Sequence, residues 1–253
     1  MKHRKPAFKN KTMNSTPRSQ FVVEGESSVL DYLKLNPAQV IGVYYRDRIG
    51  DELATILKQH QINAVLGDKQ EFAGYAPQSP VWAVIKISLL PENELLDELD
   101  QRQNDLIVIC DHITDPRNLG AVVRSCAYFG VQNIVIPNRR QVQLTNVVVS
   151  TAQAGFARTQ LTVVANINQM IARLKKMNYW ICGTSLAGKP LEEFSKRPFA
   201  KMALIIGSEG KGMSQLVEQN CDLLMKITGA KETVDSLNVS VATGIFLHHF
   251  SLP

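Results

Sequence analysis

Ala203-Leu204-Ile205-Ile206-Gly207-Ser208-Glu209-Gly210-Lys211-Gly212-Met213 runs from an apolar strand pattern directly into glycines placed around one carboxylate. Such a run makes a strand end followed by a tight loop in which the backbone can come close to a ligand. A second stretch, Asp235-Ser236-Leu237-Asn238-Val239-Ser240-Val241-Ala242, sets polar groups at the opening of an apolar helix continued by Ile245 and Phe246. Polar turns at the carboxyl ends of strands are where open α/β sheets bind ligands.

Working outward from these stretches, strands and helices alternate regularly. Strands are predicted at Leu106–Cys110, Asn133–Ile136, Leu161–Val164, Tyr179–Gly183, Met202–Ile206 and Leu223–Ile227. Helices are predicted at Asn118–Phe129, Val147–Ala157, Asn168–Met177, Ser214–Asn220 and Asn238–Phe250. This alternation implies an α/β domain with a parallel sheet covered on both faces, spanning residues 105–253. Upstream, residues 21–90 read as a separate small α/β unit with helices at Glu26–Leu35 and Asp51–His60 and strands at Val40–Tyr44 and Val81–Ile87. In residues 91–104, Pro91 and the acidic, helix-like stretch Glu92–Gln103 read as a connector.

The 253 residues are 45% hydrophobic and 20% charged, a globular composition with room for a sizeable core. No apolar run reaches the length of a membrane span and the N-terminus lacks a secretory apolar stretch, so the expected location is the cytoplasm. Cys110, Cys126, Cys182 and Cys221 form no C-x-x-C pair and are expected to be reduced cysteines filling apolar positions. The net charge of +5 is uneven: Lys2, Arg4, Lys5, Lys9, Lys11 and Arg18 fall within residues 1–20, which hold no acid. That basic arm cannot form a core and reads as disordered, either lying along phosphates or serving as a solubilising tail.

Each motif also has a plainer account. Gly183-Thr184-Ser185-Leu186-Ala187-Gly188-Lys189 follows a strand and fits seven positions of a phosphate-binding P-loop, but Pro190 stands where a Ser or Thr must hold magnesium. Nucleotide hydrolysis is therefore rejected. In Asp115-Pro116-Arg117-Asn118-Leu119-Gly120, Asn118 is placed to cap a helix, which accounts for Asn118 but not for Arg124 among Val122, Val123 and Ala127. An arginine so placed either snorkels to solvent or meets an anion. Glu209 can belong to an ordinary strand-to-helix loop, and Ser236 can be a helix cap; the conjunction of three polar turns argues for a site. His248 and His249 are adjacent and point away from each other on a helix, a poor metal pair, and His112 beside Asp111 lacks a nucleophile to complete a triad. No metal site is expected.

Taken in order, Asp115-Pro116-Arg117-Asn118-Leu119-Gly120 through Arg124, Ile206-Gly207-Ser208-Glu209-Gly210-Lys211-Gly212-Met213, and Ser236-Leu237-Asn238-Val239-Ser240-Val241-Ala242 resemble the three signature motifs of the SpoU (TrmH-like) RNA ribose 2′-O-methyltransferases. The resemblance covers about Asp105 to Phe250, and residues 21–90 are similar in position to the ribosomal-protein-like substrate-binding domain of many members. It implies S-adenosylmethionine as methyl donor, a homodimer, and a deep trefoil knot that the rules of unknotted chain topology would not have suggested. It places the catalytic set at Asn118, Arg124, Glu209, Ser236 and Asn238. The cofactor set it implies is Thr184, Ser185, Leu186, Ile206, Gly207, Ser208, Gly210, Ile227, Ser236 and Leu237. In the family the arginine at position 124 is assigned the role of activating the ribose hydroxyl; as a permanent cation it suits stabilising an oxyanion or adjacent phosphate better than literal base action. The substrate implied is RNA, ribosomal rather than transfer RNA because of the separate N-terminal unit and the basic arm. A non-catalytic RNA-binding or ribosome-assembly factor that kept the fold is the other reading. One departure stands out: the family's Ile-Pro before the third motif is replaced by Ile227-Thr228-Gly229-Ala230-Lys231-Glu232-Thr233-Val234-Asp235, a longer turn without proline.

Overall fold

Residues 20–67, 76–196, 198–230 and 236–251 are described in a computed structural model. The basic arm, save Gln20, lies outside them, as do residues 231–235 of the turn before the third motif. The first unit contains β1 (Gln20–Glu24), α1 (Glu26–Leu35), β2 (Val40–Tyr45), α2 (Asp51–Gln59), β3 (Ala64–Leu66) and β4 (Val81–Lys86). Its sheet has the order β1-β4-β2-β3, with β4 antiparallel to both β1 and β2 and β3 parallel to β2. Val29, Tyr32 and Leu33 of α1 and Leu53 and Leu57 of α2 bury one face of each helix against Phe21, Val43 and Ile85. Such i, i+3, i+4 stripes are what make these amphipathic segments helical in context.

Residues 91–104, predicted as a connector, contain α3 (Glu92–Asp100), whose Leu95 and Leu99 are fully buried against Ile107, Ile109 and Met170. Burying each leucine stabilises by about 1.5–3 kcal/mol, which fastens the segment to the sheet it precedes. Then follow β5 (Asp105–Asp111), α4 (Pro116–Tyr128), β6 (Asn133–Pro137), α5 (Asn146–Ala152), β7 (Gln160–Val164), α6 (Ile167–Lys176), β8 (Trp180–Pro190), β9 (Lys201–Gly207), α7 (Gln215–Gln219), β10 (Leu223–Lys226) and α8 (Val239–Ser251).

The six strands are all parallel, in the order β10-β8-β9-β5-β6-β7. The period-two rule sorts their side chains between two cores. Val108, Cys110, Leu204 and Ile206 join Leu119, Val122, Cys126, Val148, Phe246 and Leu247 of α4, α5 and α8 on one face. Ile107, Ile109, Ala203 and Ile205 join α3, α6 and α7 on the other. The first unit rests on the α4–α5 side: the Val22 amide donates to Asn146 Oδ1 (3.1 Å) and Gln39 Nε2 to the Phe156 carbonyl (3.2 Å).

Two elements depart from prediction. The helix expected over Val147–Ala157 stops at Ala152, where Gln153 turns to φ 52° and a 3-10 turn (Gln153–Ala157) follows. Gly155 there lies so close to α4 that an added Cβ would stand 3.0 Å from Val123 Cγ1. β8 runs seven residues beyond its predicted end at Gly183, so Thr184, Ser185 and Leu186 lie in a strand rather than a loop. Its pairing with β10 jumps from Leu224–Gly183 to Met225–Lys189, which makes the intervening residues a long bulge. Only a 3-10 turn (Leu191–Glu193) follows Pro190, so the P-loop lookalike lacks the helix a P-loop requires.

Candidate active site

Strand order reverses between β5 and β9, the point where a parallel sheet opens a crevice at its carboxyl edge. The register pairs Asp111, last residue of β5, with Gly207, last residue of β9, so the first and second motifs leave the sheet side by side. Asp111 is buried and fastens both: its Oδ2 accepts from the Ser214 amide (2.7 Å) and its Oδ1 lies 2.7 Å from His112 Nδ1. His112, at φ 64°, thereby serves the turn into α4.

In the second motif Ser208 and Gly212 exchange backbone hydrogen bonds at 2.9 Å in each direction, closing a tight loop with Gly210 at φ 78° and Gly212 at φ 67°. Those backbone angles favour glycine. Gly207 is packed against the Gly212 carbonyl carbon and the Met213 nitrogen so closely that no Cβ fits. Glu209 is thereby held at the exposed tip of the loop.

Helix α4 is capped by Asp115, whose Oδ1 accepts from the Arg117 amide at 2.7 Å, with Pro116 in the first helical position. This corrects the expected cap at Asn118, which sits within the first turn and turns its side-chain amide to the other motifs. The third motif is corrected in the same sense: Asn238, rather than Ser236, caps α8, its Oδ1 accepting from the Ser240 amide (2.9 Å) and Ser240 Oγ (2.7 Å). Those two donors fix which way the Asn238 amide faces. Its Nδ2 then donates to Asn118 Oδ1 (3.0 Å) and at longer range to Glu209 Oε2 (3.4 Å), while Asn118 Nδ2 donates to the same Glu209 oxygen (3.3 Å). One residue from each motif thus meets at a single point. The Glu209 carboxylate lies at the amino ends of α4 and α8, where the helix dipoles favour negative charge.

The remaining predicted residues are placed around this trio. Ile206 and Gly207 end β9 in buried positions, and Ser208 and Gly210 belong to the loop. Thr184, Ser185 and Leu186 lie in the β8 bulge, where Ser185 Oγ donates to Glu218 Oε1 (2.6 Å). Ile227 follows β10, and Ser236 and Leu237 lead exposed into α8. Arg124 is not drawn into the trio: it is exposed, and among the described residues no hydrogen bond or ion pair engages it. Six residues separate it from Asn118 on one helix, which sets the two side chains roughly 120° apart around the axis. Sequence reading missed the anchoring carboxylate of Asp111 and the orienting Ser240. The signals were an acid closing an apolar strand and a serine two residues after an asparagine.

No group of three His, Cys, Asp or Glu among the described residues could hold a metal ion. Cys110, Cys126 and Cys182 are buried and Cys221 half-buried, all four free. Burial pushes the thiols of Cys110, Cys182 and Cys221 up to about 12. His249 Nε2 lies 3.0 Å from the Phe194 carbonyl and His248 packs edge-on against Phe129, so both are structural.

The fold and the trio define an α/β domain with a polar site at the switch point of a parallel sheet, assembled from one residue of each of three sequence motifs. The chain belongs to the SpoU rRNA methylase family, whose model matches residues 105–248. A 23S rRNA (guanosine-2′-O-)-methyltransferase of Photobacterium profundum is 33% identical over 240 residues, covering 90% of this chain and 96% of the relative. One from Blochmanniella floridana is 38% identical over 174 residues, 68% of each chain. The fold is shared with the SpoU methyltransferase AviRb of Streptomyces viridochromogenes, solved with AdoMet, at a TM-score of 0.74 and 18% identity over 92% of this chain and 90% of that one.

Proposed function

We propose that this protein transfers the methyl group of S-adenosylmethionine to a ribose 2′-hydroxyl of ribosomal RNA. The observation that carries the reading is the convergence of Asn118, Glu209 and Asn238, one from each family motif, at the carboxyl end of the sheet. Relatives that match this chain nearly end to end are named for 2′-O-methylation of 23S rRNA, which supports ribosomal over transfer RNA.

The residues present fit the cofactor. Gly207 leaves only backbone at the end of β9, and Leu186 and Leu237, 69% and 41% exposed, offer apolar surface at the same edge of the sheet. Ile206, Gly207, Ser208, Gly210, Thr184, Ser185, Leu186, Ile227, Ser236 and Leu237 would hold it. Bound there, S-adenosylmethionine supplies an electrophilic methyl on a sulfonium. Every other demand falls on the chain. A ribose hydroxyl is a weak acid and must lose its proton as its oxygen attacks in line. Asn118 and Asn238, with Glu209 accepting from both, are a pre-oriented set that can hold the ribose without reorganising. Arg124 supplies positive charge for the developing oxyanion or an adjoining phosphate. That no described residue hydrogen-bonds or ion-pairs with it supports an RNA-facing role.

The first unit is the part that grips RNA away from the site, joined by the basic arm. The protein acts as a homodimer; Val241 and Ile245, four residues apart on α8 and 51% and 36% exposed, form with Leu237 just before the helix (41% exposed) an apolar surface that a second copy would cover. The trefoil path belongs to the same reading, supported by β10 at the sheet edge and by α8 packed on α4, the helix that follows β5. The site of action is the cytoplasm. Among the described residues no helix is long and apolar enough to cross a membrane.

The test is transfer of labelled methyl from S-adenosylmethionine into RNA and ribosomal particles from cells lacking this protein, followed by mapping of alkali-resistant ribose. One labelled 2′-O-methyl position in ribosomal RNA is expected. Cofactor and RNA binding without any transfer would replace the enzyme with a binding factor.

A further inference from the structure

We propose that Arg139 and Arg140 form a clamp for phosphodiester groups of the RNA strand entering the site, an inference that rests on the RNA methyltransferase reading above. The two residues lie in the loop leaving β6, at the same carboxyl edge of the sheet as the trio. The loop is fastened on both sides. The Asn138 amide donates to the Val164 carbonyl at 3.0 Å. Beyond the arginines, buried Gln141 accepts from the Ile113 amide through Oε1 (2.7 Å), and the Val142 amide donates to the Ile113 carbonyl (2.9 Å). Ile113 is five residues before Asn118, at most about 17 Å of extended chain. Past Thr145, the same loop enters α5, whose Asn146 receives the β1 amide of Val22. The loop thus lies between a segment tied to the first unit and the turn that leads to Asn118, where a strand bound to both would meet it.

Between its fixed points the loop holds Arg139 and Arg140 fully out, and among the described residues neither has a hydrogen bond or ion pair. The nearby acids are engaged elsewhere, Asp111 with Ser214 and His112 and Asp115 with the Arg117 amide. Arg140 also stands at φ 54°, a left-handed backbone that suits glycine or asparagine and is unfavourable for a long side chain. A strained backbone that aims an unpaired guanidinium outward from a fixed loop marks a ligand contact. Arginine's planar fork matches phosphate oxygens, so the ligand class is the phosphodiester.

The test uses full-length Arg139→Ala and Arg140→Gly proteins with the RNA that the wild type methylates. Because glycine suits the left-handed turn, Arg140→Gly should melt at or above the wild-type temperature. Its KM for RNA should nevertheless rise roughly 5- to 20-fold, with kcat at saturating RNA within about twofold. The dependence of log affinity on log salt should lose about 0.7–0.9 for each phosphate contact removed. Affinity for S-adenosylmethionine should not change. An unchanged KM and salt slope in both folded variants overturns the clamp, and so does a loss confined to kcat, which would put the arginines in the chemistry. If the wild type binds ribosomal RNA but methylates none of it, the enzymatic reading falls. The salt slope of binding then decides the clamp by itself.

Discussion

Asn238 performs two tasks with opposite ends of one amide. Its oxygen closes the first turn of α8 through Ser240, and its nitrogen reaches Asn118 and Glu209. Removing the amide should therefore separate stability from chemistry. Asn238→Ala is expected to cost about 1 kcal/mol through the lost cap, readable as a small fall in urea midpoint. Methyl transfer should fall about 100-fold or more, the scale of losing one pre-oriented donor. Activity within threefold of wild type would remove the trio from the mechanism. The buried thiols make a second residue-level prediction. Burial holds Cys110 and Cys182 near 12 against an ordinary value of 9.0, so the folded state favours the neutral thiol. That contribution is complete below pH 9 and drains away as pH rises from 9 toward 12, because the unfolded chain ionises first. The urea midpoint should drop on going from pH 8 to pH 10, and a variant with both cysteines changed to serine or alanine should show a smaller drop.

At the scale of elements, α4 carries the first motif and owes its start to Asp115 and Pro116. Asp115→Ala should destabilise by about 1 kcal/mol and loosen Asn118 with it, so RNA methylation should weaken more than the melting temperature alone would suggest. A variant that melts earlier but keeps full transfer at low temperature would show that the cap acts on folding only. The sequence contained this signal: a proline at the first helical position points to the residue before it as the cap, yet Asn118 drew the assignment because it began the apolar stripe. Asn238 was displaced by Ser236 for the same reason, a plausible cap lying two residues early. The six parallel strands were legible because their apolar runs are continuous, as strands buried on both faces must be. β1 and β3 were not, since they lie at sheet edges. The extension of β8 was hidden too, because Thr184 to Pro190 is composed like a turn and becomes strand only through pairing with Met225 and Lys226. The helix-like stretch after Pro91 is a helix, and its Leu95 and Leu99, four residues apart, are the stripe that buries it.

At the scale of the whole molecule, the placement of Arg124 points beyond the single chain. It projects from α4 roughly 120° away from Asn118 and stays exposed. On α8, Gly244 abuts α4 at Ser125, 4.0 Å from where a Cβ would sit. Arg124 precedes Ser125 on α4, and Val241 and Ile245, in the surface proposed for a second copy, lie within a turn of Gly244 on α8. If that copy docks there, each Arg124 is poised to serve the partner's trio, which its own helix prevents it from reaching at home. The consequence is measurable without a structure of the dimer. Arg124→Ala and Asn238→Ala should each abolish transfer, and Arg124→Ala should keep its affinity for S-adenosylmethionine, since its target is the ribose or phosphate. Mixed and allowed to exchange subunits, the two inactive proteins should regain part of the activity, because half the sites in a mixed dimer combine an intact Arg124 with an intact trio. Failure to regain activity, with mixed dimers demonstrated by differently tagged subunits, would mean that Arg124 works within its own chain. A backbone shift of α4 on RNA binding would then be required to bring it round to Asn118. Val241→Glu supplies the control: a charge set in that surface should yield monomers, and monomers should be inactive if the arginine must come from the partner.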